Sequence, residues 1–170
     1  MERSTARLTR EVKVSHNVGC GTAYALSPPA VAGGSWTESV PYAFGKHSYP
    51  SGLVAGRNGV LYLTGTDLNL EDGIVFRLTP PAQPGAAWAE TVVYDLNLAW
   101  TSGVVLGPKD VLYGALTSGT PLYGAVYELF PPSAKGGLWT ETVIYAFTLT
   151  NGGGAYPNGY LTLGPNGVIL

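Results

Sequence analysis

Three glutamates, Glu38, Glu90 and Glu141, stand 52 and then 51 residues apart. A carboxylate set among apolar side chains is raw material for general acid–base chemistry, provided that two of them face one bond. Here each follows a tryptophan by two places in a shared phrase: WTESVPYAF (36–44), WAETVVYDL (88–96) and WTETVIYAF (139–147). Copies on equivalent units lie apart rather than across one bond. They are therefore expected to be paired structurally, as a carboxylate on an apolar face must be. Asp67, Asn69 and Glu71 place oxygens at alternate positions, the spacing by which a loop surrounds calcium. Gly73 falls one place late for such a loop, no glutamate closes it, and the equivalent segment TSGTPLYG (117–124) carries no acid. A solvated turn is the favoured reading, and no cofactor is assigned. Tyr49, Trp100 and Tyr156 occupy matching places just before the first strand of a unit. Exposed aromatics there suit a glycan or a peptide, and they form the candidate ligand face; the competing reading is that they cover the core's edge. His16 and His47 have no counterparts in other copies. No Gly-x-Ser-x-Gly, His-Glu-x-x-His or Cys–His pattern occurs, and NGGGAYPNG (151–159) lacks the Lys-Ser/Thr of a phosphate loop, so no catalytic residue is assigned.

The elements that would hold these residues are repeats. TAYALSPP (22–29), IVFRLTPP (74–81) and AVYELFPP (125–132) each follow a glycine, at Gly21, Gly73 and Gly124. GRNGVLY (56–62), GPKDVLY (107–113) and GPNGVIL (164–170) form a further set. Period-2 alternation predicts four strands in the middle unit: SGLVAG (51–56), GVLYLTGT (59–66), GIVFRLTP (73–80) and WAETVVYDL (88–96). Asn58-Gly59 predicts a tight hairpin turn, and Pro80-Pro81 ends the third strand because proline cannot donate to a ladder. Alternation also predicts Trp88, Val92, Tyr94 and Leu96 on one face of the fourth strand, with Glu90 beside Trp88. Gly and Pro interrupt every candidate helix. Trp36, Trp88 and Trp139, with Tyr42, Tyr94 and Tyr145, recur identically and are therefore read as packing residues.

A repeat near 50 residues with four strands predicts an all-β, propeller-like array of antiparallel four-stranded blades. Residues 1–20 read as an extension or a degenerate strand, with EVKVSH (11–16) a second-strand candidate. The tandem region 21–170 divides into a partial blade (21–49), two blades (50–98 and 99–149) and a further partial blade (150–170). The total is about three blades, against the four to eight of closed propellers, so a piece of a larger array is expected, completed by neighbouring repeats or by self-association.

Charge and composition narrow the function. Charged residues make up 12% of the chain, yet 45% is apolar, which favours a packed fold over disorder. From residue 21 onward nine acidic side chains face five basic ones, a surface that would repel nucleic acid. Cys20 is the only cysteine, so no intrachain disulfide forms. No apolar run reaches the ~18 residues of a membrane span, and MERSTARLTREVKVSH has no apolar segment of the secretory kind.

The ordered phrases GIVFRLTPP (73–81), WTETVIYAF (139–147), YPSGL (49–53) and NGVLYLTGT (58–66) resemble the GloVer-type tandem repeats of bacterial extracellular choice-of-anchor proteins. The resemblance covers about 21–170 and is weakest where LYLTGT and LYGALT replace the family's Leu-Tyr-Gly-Thr-Thr. It implies an extracellular or cell-surface, propeller-like scaffold without assigned activity. More distantly, the first strand pair is similar to NHL-type and lyase-like propellers. The function expected is a non-catalytic structural or binding module for a glycan or a protein. The alternative is a fragment of a lyase or carbohydrate-active propeller enzyme with its site at the central channel. That alternative requires His or paired carboxylates from several blades to meet at the channel, and convergence of His47 with any of Asp67, Glu71, Asp72 or Asp110 would favour it.

Overall fold

The computed structural model describes residues 5–9, 21–45, 47–67, 72–97, 99–119, 121–134, 136–150 and 154–170, with 5–9, 47–49 and 67 described by backbone alone. Among the described residues eleven strands run in chain order: β1 (Thr5–Thr9), β2 (Thr22–Ser27), β3 (Thr37–Ala43), β4 (His47–Ala55), β5 (Leu61–Asp67), β6 (Gly73–Thr79), β7 (Ala89–Asp95), β8 (Trp100–Leu106), β9 (Leu112–Ser118), β10 (Ala125–Phe130) and β11 (Thr140–Ala146). They form three antiparallel sheets, β1-β2-β3, β4-β5-β6-β7 and β8-β9-β10-β11. No α-helix occurs among the described residues. The all-β expectation and the four-stranded meander of the two whole units therefore hold. No sheet among the described residues closes on itself.

Local chemistry sets the strand ends. β2, β6 and β10 stop just before Pro28-Pro29, Pro80-Pro81 and Pro131-Pro132, each pair of which breaks the ladder. The hairpins β4–β5 and β8–β9 turn through Arg57–Val60 and Pro108–Val111, each closed by a hydrogen bond that the fourth residue's N–H donates to the first residue's carbonyl. Asn58 and Gly59, like Lys109 and Asp110, both have positive φ, which makes these type I′ turns, the kind that matches the twist of paired strands. A third copy lies at Pro165–Val168. It closes a short hairpin in which Thr162 and Leu170 exchange backbone bonds and Leu163 bridges Ile169. The first- and second-strand phrases at 157–170 thus pair with each other but form no extended ladder. Beside β2, the second-strand place is taken by β1 (Thr5–Thr9) rather than by 11–16, which lie outside the described residues.

The core lies between sheets. Ala23 and Phe44 of the first sheet meet Leu61, Leu63, Ile74, Phe76 and Leu78 of the second, with Trp88 packed on the rim. Tyr62, Val75 and Leu96 of the second meet Val104, Leu112, Leu116, Ala125, Tyr127 and Leu129 of the third, with Trp139 on the rim. β6 is buried along both faces because it is sandwiched between the neighbouring sheets, whereas β7 and β11 are outer edges, β7 without a buried residue and β11 largely exposed. The opposite edges converge: β8 lies against β4 and β5, and β1 against β4.

The fourth strands do not alternate as expected. The register of β6 with β7 runs Phe76↔Val92 and then Val75↔Tyr94, so Val93 is an extra residue, a β-bulge. The same break recurs in β11, where Tyr127 pairs with Val143 and Val126 with Tyr145, and in β3 between Ser39 and Tyr42. Because one extra residue inverts the alternation, Trp88, Glu90 and Val92 point to the first sheet while Tyr94 points to the third. The expectation of Trp88, Val92 and Tyr94 on one face is therefore corrected. Each fourth strand sends Trp and Glu backward and Tyr forward.

Candidate functional site

The bulge accounts for the repeated glutamates. The Tyr42 hydroxyl is hydrogen-bonded to the Glu90 carboxylate, and that of Tyr94 to Glu141. Glu90 and Glu141 thus each join their sheet to the one before it. Burial, reinforced by the hydrogen bond to Glu90 and its negative charge, pushes Tyr42 up to about 12. Tyr94 is raised for the same reasons, burial first, with Glu141 and Asp95 adding to it. Tyr127, fully buried, is also raised by desolvation, against the lowering effect of its hydrogen bond with Thr101. The unfolded chain ionises these phenols near the ordinary value of 10, and the folded chain does so only above it. Their stabilisation is therefore complete below pH 10 and lost progressively as pH rises above it, for Tyr42 as pH passes about 12. An ultraviolet tyrosinate titration should show this late class. Tyr42→Phe should remove one member, and Glu90→Gln should bring Tyr42 down toward 10. An unchanged Tyr42 in Glu90→Gln would contradict the pairing.

Trp88 and Trp139 meet the preceding sheet as this polarity requires; Trp139 sets its ring edge-on to Tyr62 at 5.8 Å. Trp36 is 61% exposed, unlike the packed indole expected, because its face turns away from the second sheet and no described residue lies over it.

A concave feature that could take a ligand lies where the first strands converge. Ser51, Trp100, Thr101, Ser102, Thr117, Tyr156, Asn158, Gly159 and Tyr160 line an open groove of about 750 Å³. Its floor is a ladder of hydroxyls linking successive units. Ser51 Oγ donates to the Ser102 carbonyl at 3.3 Å, and Ser102 Oγ donates to the Gly159 carbonyl at 2.7 Å. The buried Thr64 hydroxyl ties β5 to the Ser51 carbonyl. Thr117 Oγ1 donates to the Trp100 carbonyl at 3.2 Å. The Tyr160 ring lies across Gly52 and Gly103; a Cβ on Gly103 would come within 2.8 Å of that ring, so only glycine admits it.

Two of the three aromatics expected at a ligand face, Trp100 and Tyr156, meet in this groove, each more than half exposed. Tyr49 is a β4 residue by its backbone, and its side chain lies outside the described residues. Tyr156 has φ 53, an unfavourable value for a bulky residue. It is held there by the hydrogen bond that its backbone N–H donates to the Tyr123 carbonyl at 2.8 Å and by an edge-on contact with the Tyr123 ring. Tyr160 and the serines were not singled out from the sequence, although the recurrence of Ser51-Gly52, Ser102-Gly103 and Asn158-Gly159 was a usable signal.

Of the acids proposed for an enzyme, the two whose side chains are described, Asp72 and Asp110, do not line the groove. Asp72 is buried at the start of β6, beside the Gly73–Ala99 backbone bond. Asp110 sits at the opposite end of the sheets, in a turn, 3.1 Å from Arg57 Nε. The side chains of His47 and Asp67, and residues Asn69 and Glu71, lie outside the described residues, so the calcium loop does too. Among the described residues no group of three His, Cys, Asp or Glu could hold a metal, and no helix is long and apolar enough to cross a membrane. No protein-family model, curated protein or solved structure matches the chain.

Proposed function

We propose that this chain is a non-catalytic repeat scaffold whose sheets are arranged radially, propeller-fashion, and whose groove at the first strands binds a neutral glycan. The observation that carries the reading is the groove's chemistry. Trp100, Tyr156 and Tyr160 offer aromatic planes, and Ser51, Thr101, Ser102, Thr117 and Asn158 offer neutral polar groups. Ser102 and Thr117 spend their protons on backbone carbonyls but keep oxygen lone pairs to accept from a ligand hydroxyl, and the Asn158 amide both donates and accepts. Among the described lining residues there is no carboxylate, imidazole or cation, which suits an uncharged polyhydroxylated ligand. The strained backbone of Tyr156 supports the same reading, because such strain gathers at binding sites. Radial packing is supported by the convergence of β4 and β8 at one edge while β7 and β11 stay outward. Placement outside the cell or at its surface rests on the likeness to the GloVer-type repeats.

Trp100 is the reporter. Soluble neutral oligosaccharides should quench its fluorescence, and Trp100→Ala should weaken their binding about 10–100-fold. Because Trp100 is 57% exposed, the same change should move stability by only about 0.5 kcal/mol. Equal binding of a neutral-glycan panel by wild type and Trp100→Ala would place the ligand elsewhere, and no binding at all would end the glycan reading.

A further inference from the structure

The two internal contacts between sheets obey one rule: the earlier sheet sends a tyrosine forward, and the later sheet answers with a glutamate and a tryptophan. Tyr42 meets Glu90, and Tyr94 meets Glu141. The rule leaves two half-contacts. On the first sheet Trp36, Glu38 and Val40, the backward-facing set, are all exposed. On the third sheet Tyr145, the forward-facing residue beyond the bulge, is 54% exposed. Next to Tyr145 an apolar groove of about 400 Å³ runs between Val126, Ile144 and Phe147 on one side and Leu161, Ile169 and Leu170 on the other. The equivalent space between the first and second sheets is filled by Ile74, Phe76, Leu78 and Trp88. There Phe44 touches both Tyr42, at 5.0 Å between ring centroids, and Phe76, at 5.3 Å. Phe147, the counterpart of Phe44, repeats the tyrosine contact with Tyr145 at 5.1 Å, and the groove opens where the second ring would lie.

We propose that these surfaces are the two halves of one interface, and that the groove is filled by the first sheet of a second copy of this chain. Glu38 of that copy takes the Tyr145 hydroxyl, as Glu90 takes Tyr42, and Trp36 and Val40 close over the apolar rim. The filled contacts inside the chain specify the chemistry of the occupant, and the exposed face of β3 is the described surface that carries it. The contact is head-to-tail, so each copy keeps one free end until a ring closes or a fibre grows. The Thr162–Leu170 hairpin of one copy then meets β2 of the next at the edge that β1 holds in the isolated chain, and assembly exchanges one strand neighbour for another.

Sedimentation velocity across a concentration series tests this on the whole chain. Wild type should rise in mass with concentration. Trp36→Asp removes the head and Leu170→Asp the tail; both residues are well exposed, so the urea midpoint should stay put while association weakens about 100-fold. Leu138→Asp, 89% exposed but off both surfaces, should associate like wild type. The decisive arm is an equimolar mixture of Trp36→Asp and Leu170→Asp. Each variant keeps the half that the other lacks, so the mixture should form a one-to-one complex that neither forms alone. A wild type that stays monomeric to about 1 mM overturns the proposal. So does a mixture that stays monomeric, or either single variant dimerising like wild type.

Discussion

Phe76→Ala is expected to lower the unfolding free energy by about 3–5 kcal/mol, the range for deleting a fully buried aromatic ring. Phe76 is 0% exposed at the centre of β6, and it faces the first sheet, where its ring meets Phe44 edge-on. Alanine removes the ring and leaves a cavity walled by Leu61, Leu63 and Leu78, which are held on the backbone ladder and collapse only in part. A domain's whole stability is about 5–15 kcal/mol, so this one change consumes a large share of it. Urea unfolding followed by circular dichroism reads the effect as a lower midpoint. Because the ring couples two sheets, the slope against urea should also fall if the first sheet melts ahead of the others. Phe130→Ala, on an aromatic 40% exposed at the end of β10, serves as control and should cost about 0.5 kcal/mol. Equal costs at the two positions would show that the space between the sheets is not the core.

The second large effect comes from adding atoms. Gly114→Ala is expected to cost about 2–3 kcal/mol by overpacking. Gly114 stands opposite Tyr127 in the β9–β10 register, and a Cβ there would overlap the Tyr127 phenol. That phenol cannot swing away, because Tyr127 is 0% exposed and its hydroxyl lies 3.1 Å from Thr101 Oγ1. The second sheet meets the same packing task differently, with Leu63 opposite Phe76. Here the strand facing the large ring has given up its side chain. In a Tyr127→Leu background the added methyl should cost about 1–2 kcal/mol less, a coupling that a double-mutant cycle isolates. Strict additivity would mean that the penalty is glycine-specific backbone strain rather than contact with the ring.

The strands were legible because alternation, Gly-led starts and Pro-Pro stops recur at a fixed step, and one unit corrects the reading of another. The Asn58-Gly59 turn was legible because only such residues sit comfortably at two successive positive φ values. Less so was its copy at Lys109-Asp110, where the neighbouring geometry imposes that conformation on ordinary residues. The bulges were not legible. One extra residue leaves no mark in composition, and the phrase reads as smooth alternation from Trp88 to Leu96. That single miss put Tyr94 on the wrong face and hid the partners of Glu90 and Glu141. Trp36 taught the complementary lesson: recurrence predicts what a residue is suited to pack against, not whether that neighbour lies within reach. For the groove, the aromatics stood out because large exposed rings are conspicuous, and the serine ladder did not because a hydroxyl donating to the next unit's carbonyl is a relation between units.

The bulge of the fourth strand gives every unit a fixed direction, with an outgoing surface that differs from its incoming one. A duplicated or deleted gene segment of one full period, wherever its boundaries fall, restores the same outgoing surface against the same incoming one. Such a chain can lengthen or shorten over evolutionary time in whole steps without inventing a new contact, whereas a gain of half a step would set two like surfaces against each other.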